Sequence, residues 1–135
     1  MARAGYSPAD VAEAVAYLHS RHYLDDAAFA RDFARARAER KGWGPARIEQ
    51  RLRALRLSEP HIAAAISATF AAGEHEAAET VLARFLHTGK RSAPAEKRRA
   101  SAYRHLLSRG FAPEIAHELV TRHDFGDTED DVETP

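Results

Sequence analysis

Leu106-Leu107-Ser108-Arg109-Gly110-Phe111-Ala112-Pro113-Glu114-Ile115-Ala116 decides how this chain folds, because an earlier stretch of the same chain repeats its pattern. In Phe111–Ala116 an apolar residue precedes a helix start, and Ala116 and Val120 follow it at +5 and +9. Leu57-Ser58-Glu59-Pro60-His61-Ile62 does the same 54 residues upstream, with Ile62 and Ile66 at those offsets. Leu52 and Leu106 each stand five residues before the turn's apolar residue. Recurrent spacing of this kind marks a structural repeat. Each turn is preceded by one further helical stretch, so the unit reads as three helices, over roughly 25–72 and again over 75–123.

Working outward, start and stop signals divide the rest of the chain. Ser7-Pro8-Ala9-Asp10 offers an N-cap, a first-turn Pro and an acid at the capping-box position, ahead of Val11, Val15 and Leu18 on one face. Asp25 or Asp26 is expected to cap a second helix carrying Phe29 and Phe33. Lys41-Gly42-Trp43-Gly44-Pro45 is a break, in which Gly42 ends one helix left-handed and Pro45 opens the next, with Ile48, Leu52 and Leu55. Ser58 caps a helix with Ile62, Ile66 and Phe70, closed by Gly73, and Val81, Leu82 and Phe85 follow on another. Tyr103, Leu106 and Leu107 precede Gly110, and Ile115, Leu119 and Val120 follow Pro113. No β-branched residues alternate over a strand's length, and Ala, Leu, Arg and Glu favour helix throughout.

The expected fold is therefore all-α. About seven short helices form tandem three-helix, helix-turn-helix-like repeats in an elongated, curved array, each too small to bury its stripe alone. The expected divisions are 1–23, the last helix of an incomplete first repeat; 24–73, the second repeat; 74–125, the third; and 126–135, an acidic tail read as disordered.

Composition narrows the function. The 135 residues contain no cysteine, which removes disulfide scaffolds, thiolate metal sites and Cys nucleophiles together. No apolar run approaches the roughly 18 residues of a membrane span, and the N-terminus lacks an apolar leader, so a cytoplasmic protein is expected. Twenty Lys and Arg balance twenty Asp and Glu, but unevenly. Nine basic residues stand against three acids over 31–56, and eight against Glu96 alone over 84–109. Residues 124–135 hold six acids and no base. Two basic segments suit a polyanion-facing surface, although charge runs also serve as solvated helix faces.

Enzyme chemistry finds little support. His19 and His22 share a helix face without a third ligand, and His75-Glu76-Ala77-Ala78-Glu79 lacks the second His of a zinc-protease motif. No nucleophile sits beside a base in a known pattern, and Asp25-Asp26 read as caps rather than paired catalytic carboxylates. No catalytic residue, metal ligand or cofactor is assigned. An aromatic in a basic loop can stack on a base, but Trp43 reads in the first place as packing between two short helices, and Tyr103 as core.

Tyr23-Leu24-Asp25-Asp26-Ala27-Ala28-Phe29-Ala30, then Arg37, Lys41-Gly42-Trp43-Gly44-Pro45, Ile48 and Leu52, resembles the RecX family of bacterial recombination regulators. Leu106-Leu107-Ser108-Arg109-Gly110-Phe111 resembles that family's closing repeat, and the likeness covers about 8–123. It implies a non-enzymatic, monomeric regulator that binds the RecA recombinase filament and the single-stranded DNA within it, with duplex DNA bound more weakly and no membrane. Inhibition of filament growth, ATPase and strand exchange is the implied consequence. Three departures stand out. The first repeat lacks its opening helices, Arg51 stands where the family often has an acid, and Arg56 replaces the Gly usual before Leu57. A non-Gly residue in a left-handed conformation costs about 1–2 kcal/mol. Candidate contact residues are Arg31, Arg35, Arg37, Lys41, Trp43, Arg47 and Arg51 in the first basic segment. In the second they are Lys97, Arg98, Arg104 and Arg109. The alternatives are a helix-turn-helix-like module reading duplex DNA, and a protein adaptor that touches no nucleic acid.

Overall fold

A computed structural model of the chain describes residues 7–89 and 92–126. Among them the regular structure is helical: α1 (Pro8–Ala36), α2 (Pro45–Ala54), α3 (Glu59–Thr69), α4 (Glu74–Thr88), α5 (Ala95–Arg109) and α6 (Pro113–Arg122). None of these helices is long and apolar enough to cross a membrane. The acidic segment 127–135 lies outside the described residues.

The N-terminal signal forms as its sequence dictates. Ser7 Oγ accepts from the Asp10 amide while Asp10 accepts from the Ser7 amide, a closed capping box. The expected second start at Asp25 or Asp26 is corrected by the structure, because α1 runs through both without a break. Neither acid can cap there, since the amides a cap would take are already bonded inside the helix. Asp26 instead lies 3.5 Å from His22, one turn back. The two expected helices are thus one of 29 residues, and the described residues hold six α-helices rather than about seven.

α1 continues into a π-helical turn, Arg37–Lys41, that ends at Gly42 with φ +68°. Widened turns of this kind shift the register of the side chains that follow. Two further stops are twins. The amides of Arg56 and Leu57 donate to the carbonyls of Arg53 and Leu52 at 2.9 and 3.2 Å. Those of Gly110 and Phe111 donate to Leu107 and Leu106 at 3.0 and 3.1 Å. Both are Schellman closures, and the repeat read from the sequence is visible here bond for bond. Gly110 holds φ +100° without penalty, whereas Arg56 holds +66° as a non-glycine.

Two cores result. Ala30, Ala34, Trp43, Ile48, Leu52, Ile62 and Ala65 pack together from the C-terminal part of α1, the Gly42–Pro45 break, α2 and α3. His61 is buried with them, and the Tyr23 ring lies 4.2 Å from its imidazole. The second core gathers Ala78, Val81, Leu82, Ala102, Leu106, Phe111, Ala116, Leu119, Val120 and Phe125 from α4, α5, the turn between α5 and α6, α6 and the residues after it. Tyr103 packs against that core while remaining partly exposed. Upstream of Tyr23, Val11, Val15 and Leu18 are exposed along one face of α1.

The cores meet at a tight joint. The Gly44 amide donates to the Arg109 carbonyl at 2.6 Å, and Ala46 to Gly110 at 3.1 Å. A Cβ on Gly44 would stand 2.7 Å from the Gly110 oxygen, so this approach requires a glycine. The break that ends one unit's first helix therefore docks on the turn that joins the other unit's last two helices.

Candidate nucleic-acid interface

The π-helical turn and the first turns of α2 bring five of the sequence-assigned residues into one groove. Arg37, Lys41, Trp43, Arg47 and Arg51 line it together with Gln50 and Ala54, enclosing about 380 Å³. The spacing follows from local structure. Arg47 and Arg51 are one helical turn apart on α2, and Arg37 and Lys41 open and close the π turn that faces them. Among the described residues, four cations and no carboxylate line this groove.

Trp43 organises the cations rather than offering its face. Its side chain is only 9% exposed, in edge-to-face contact with Phe33 at 6.5 Å between centroids. The Arg47 guanidinium lies 4.3 Å from the indole centroid, and that of Arg37 lies 5.4 Å from it and 4.5 Å from the Phe33 ring. Ring quadrupoles hold guanidinium groups in this way without neutralising them. Packing, the primary reading of Trp43 from sequence, is what the structure shows, and the ring is not an open platform for a base.

Arg47 is fixed twice, since its Nη1 also donates to the Ser108 carbonyl at 2.9 Å across the joint. Arg37 Nε is buried without a hydrogen-bond partner among the described residues. A buried charged donor left in that state calls for an acceptor. Phosphate oxygens suit such a groove, because guanidinium groups donate to them in paired, charge-assisted bonds.

The remaining candidates lie elsewhere. Arg31 and Arg35 do not line this groove; six residues of helix turn Arg31 about 120° away from Arg37. Arg35 stands 3.5 Å from Asp32 on an exposed face. Lys97, Arg98 and Arg104 line a different groove, on α5, and Arg98 donates to the Phe125 carbonyl at 2.9 Å. Arg109 contributes its backbone carbonyl to the joint, and its charge joins burial in holding the His105 imidazole below the ordinary His range, burial being the larger cause. No group of three or more His, Asp or Glu among the described residues could hold a metal ion. Gln50 was not foreseen from sequence, and neither was the π turn: a single turn of widened helix leaves no periodicity to read.

Comparison with known proteins finds similarity to proteins named regulatory protein RecX. The profile of the RecX second three-helix domain matches residues 25–66, which include all the lining residues of the groove. The regulatory protein RecX of Cronobacter sakazakii is 33% identical over 105 residues, covering 78% of this chain and 61% of the relative. That of Salmonella paratyphi A is 49% identical over 43 residues, or 32% of this chain and 25% of the relative. The chain thus spans about three fifths of the first relative's length and a quarter of the second's. No solved structure matches it.

Proposed function

Because this chain belongs to the RecX family of regulatory proteins, we propose that it acts on the RecA recombinase filament, with the Arg37–Lys41–Arg47–Arg51 groove engaging the phosphates of its single-stranded DNA. The observation that carries this reading is a groove lined, among the described residues, by four cations and no carboxylate, two of the cations lying on a buried Trp. Geometry of this kind recognises backbone charge rather than base identity. In this reading no covalent step is involved. The protein seats against the filament, obstructs the addition of subunits, and thereby lowers ATP turnover and strand exchange. The three-helix units 24–73 and 74–125 act as adjacent footholds.

Titrating the protein into RecA ATPase on single-stranded DNA tests this. Turnover should fall at protein levels near or below equality with the recombinase, and filaments should shorten. Unchanged turnover together with unchanged filament length would overturn the proposal. Strong preference for one duplex sequence would instead assign the groove to a duplex reader.

A further inference from the structure

A second groove, of about 620 Å³, lies between the end of α4 and the start of α5. Its chemistry differs from that of the first. Phe85, Leu86, Ala93 and Ala100 give it an apolar lining, Lys97 and Arg104 stand exposed on it, and no carboxylate among the described residues lines it. A bare phosphate gains nothing from the apolar part, and a neutral peptide gains nothing from the cations. The complement is an acidic segment with one apolar side chain.

The chain carries such a segment, attached at the groove's own wall. Phe125 is buried in the second core, with the guanidinium groups of Arg98 and Arg99 at 5.7 and 4.9 Å from its ring centroid. Arg98, which holds the Phe125 carbonyl, also lines the groove. Immediately beyond Gly126 come Asp127-Thr128-Glu129-Asp130-Asp131-Val132-Glu133-Thr134-Pro135, with five acids, no base and one aliphatic residue set between acids. Nine residues reach up to about 30 Å when extended. Arg98, which anchors their root, is itself part of the groove's lining, and the rise along α5 from Arg98 to Arg104 is about 9 Å, well within that reach.

We infer that the α4–α5 groove is a docking surface for an acidic peptide with a single apolar anchor, and that its occupant is this chain's own segment 127–135, with Val132 on the apolar lining and the flanking carboxylates at Lys97 and Arg104. Tethering raises the segment's effective concentration to the order of millimolar, so a contact of millimolar affinity is occupied about half the time. The docked segment shields the cations of α5 and leaves those of the Trp43 groove exposed.

The absence of cysteine makes the test direct. A Thr134→Cys chain labelled with a nitroxide should lose amide NMR intensity selectively at Leu86, Ala93, Ser101 and Arg104. Adding Val132→Asp should restore much of that intensity, as should Lys97→Glu with Arg104→Glu, two exposed positions whose change leaves the cores intact. Added salt should restore it partly, by screening the ionic share alone. Broadening centred on Trp43 and Arg51, broadening spread evenly over the protein, or broadening indifferent to Val132→Asp would each overturn the inference. Neither nucleic acid nor recombinase enters the measurement, so its outcome is independent of the function proposed above.

Discussion

Arg56 holds a left-handed backbone as a non-glycine residue, with φ +66°. Its twin in the repeat, Gly110, holds the same closure at no conformational penalty. Arg56→Gly should therefore stabilise the protein by about 1 kcal/mol, the relief of the Cβ clash. A rise of a few degrees in Tm would show it. An unchanged or lowered Tm would mean the strain is already relaxed. His105 supplies the pH counterpart. It stacks on Phe85 at 4.3 Å, and burial, then Arg109, holds its imidazole below the usual range, so the folded state prefers it neutral. The unfolded chain binds that proton more readily, so this contribution is present above the ordinary His value of about 6.5 and is lost as pH falls through the lowered one. His105→Gln should flatten that part of the stability profile, as urea melts between about pH 7 and 5 would report. The Arg56 strain was legible in the sequence, since the repeat sets it opposite Gly110. The His105 environment was not, because it depends on which ring α4 brings to α5.

At the scale of elements, the caps that read true are those with backbone amides or carbonyls left to satisfy. Ser7 and Ser58 each accept from the third residue on, and Gly42 and Gly110 close helices left-handed. Asp25 and Asp26 failed as caps because a cap signal inside a strong helix former competes with continued propagation, which adds a bond for each residue fixed. Five of the eleven candidate contacts converge because α2 and the π turn face each other, a juxtaposition that charge counting along the chain cannot see. The distinction can be measured. If about four single-strand phosphates are engaged, the log–log salt slope of filament or DNA binding should be roughly −3. Lys41→Ala with Arg51→Ala, both exposed groove residues, should flatten it by about 1.4 and weaken binding without loss of helix content. Arg31→Ala with Arg35→Ala should leave the slope nearly unchanged. Equal slopes for the groove pair and the parent would reduce the groove to a solvated face.

Across the whole molecule, the two cores meet at a seam where Gly44 and Ala46 donate to the carbonyls of Arg109 and Gly110. Gly44 has a φ of −90°, which alanine adopts without strain, so Gly44→Ala acts by collision alone with the Gly110 carbonyl and the Phe111 ring, 2.7 and 2.8 Å away. Overpacking of this order costs about 1–3 kcal/mol. The expected result is two cores that lose their shared transition. The chain's one tryptophan, Trp43, reports the first core by fluorescence, while far-UV circular dichroism reports both. Their melting curves should separate in Gly44→Ala and coincide in the parent. Coincident curves in both proteins would show that the joint absorbs the extra methyl.

Arg47 belongs to that seam and to the basic groove at once, its guanidinium lying on Trp43 while its Nη1 donates to Ser108. Thermodynamic linkage follows from this double membership. A ligand that needs Arg47 in place favours the closed seam over the open one, by up to about 2.7 kcal/mol at a hundredfold excess over its Kd. Occupancy of the groove should then be legible as slowed hydrogen exchange at the Gly44 and Ala46 amides, whose acceptors lie on the far unit. The 74–125 unit, which supplies those acceptors, would thereby help to hold a ligand that it never touches.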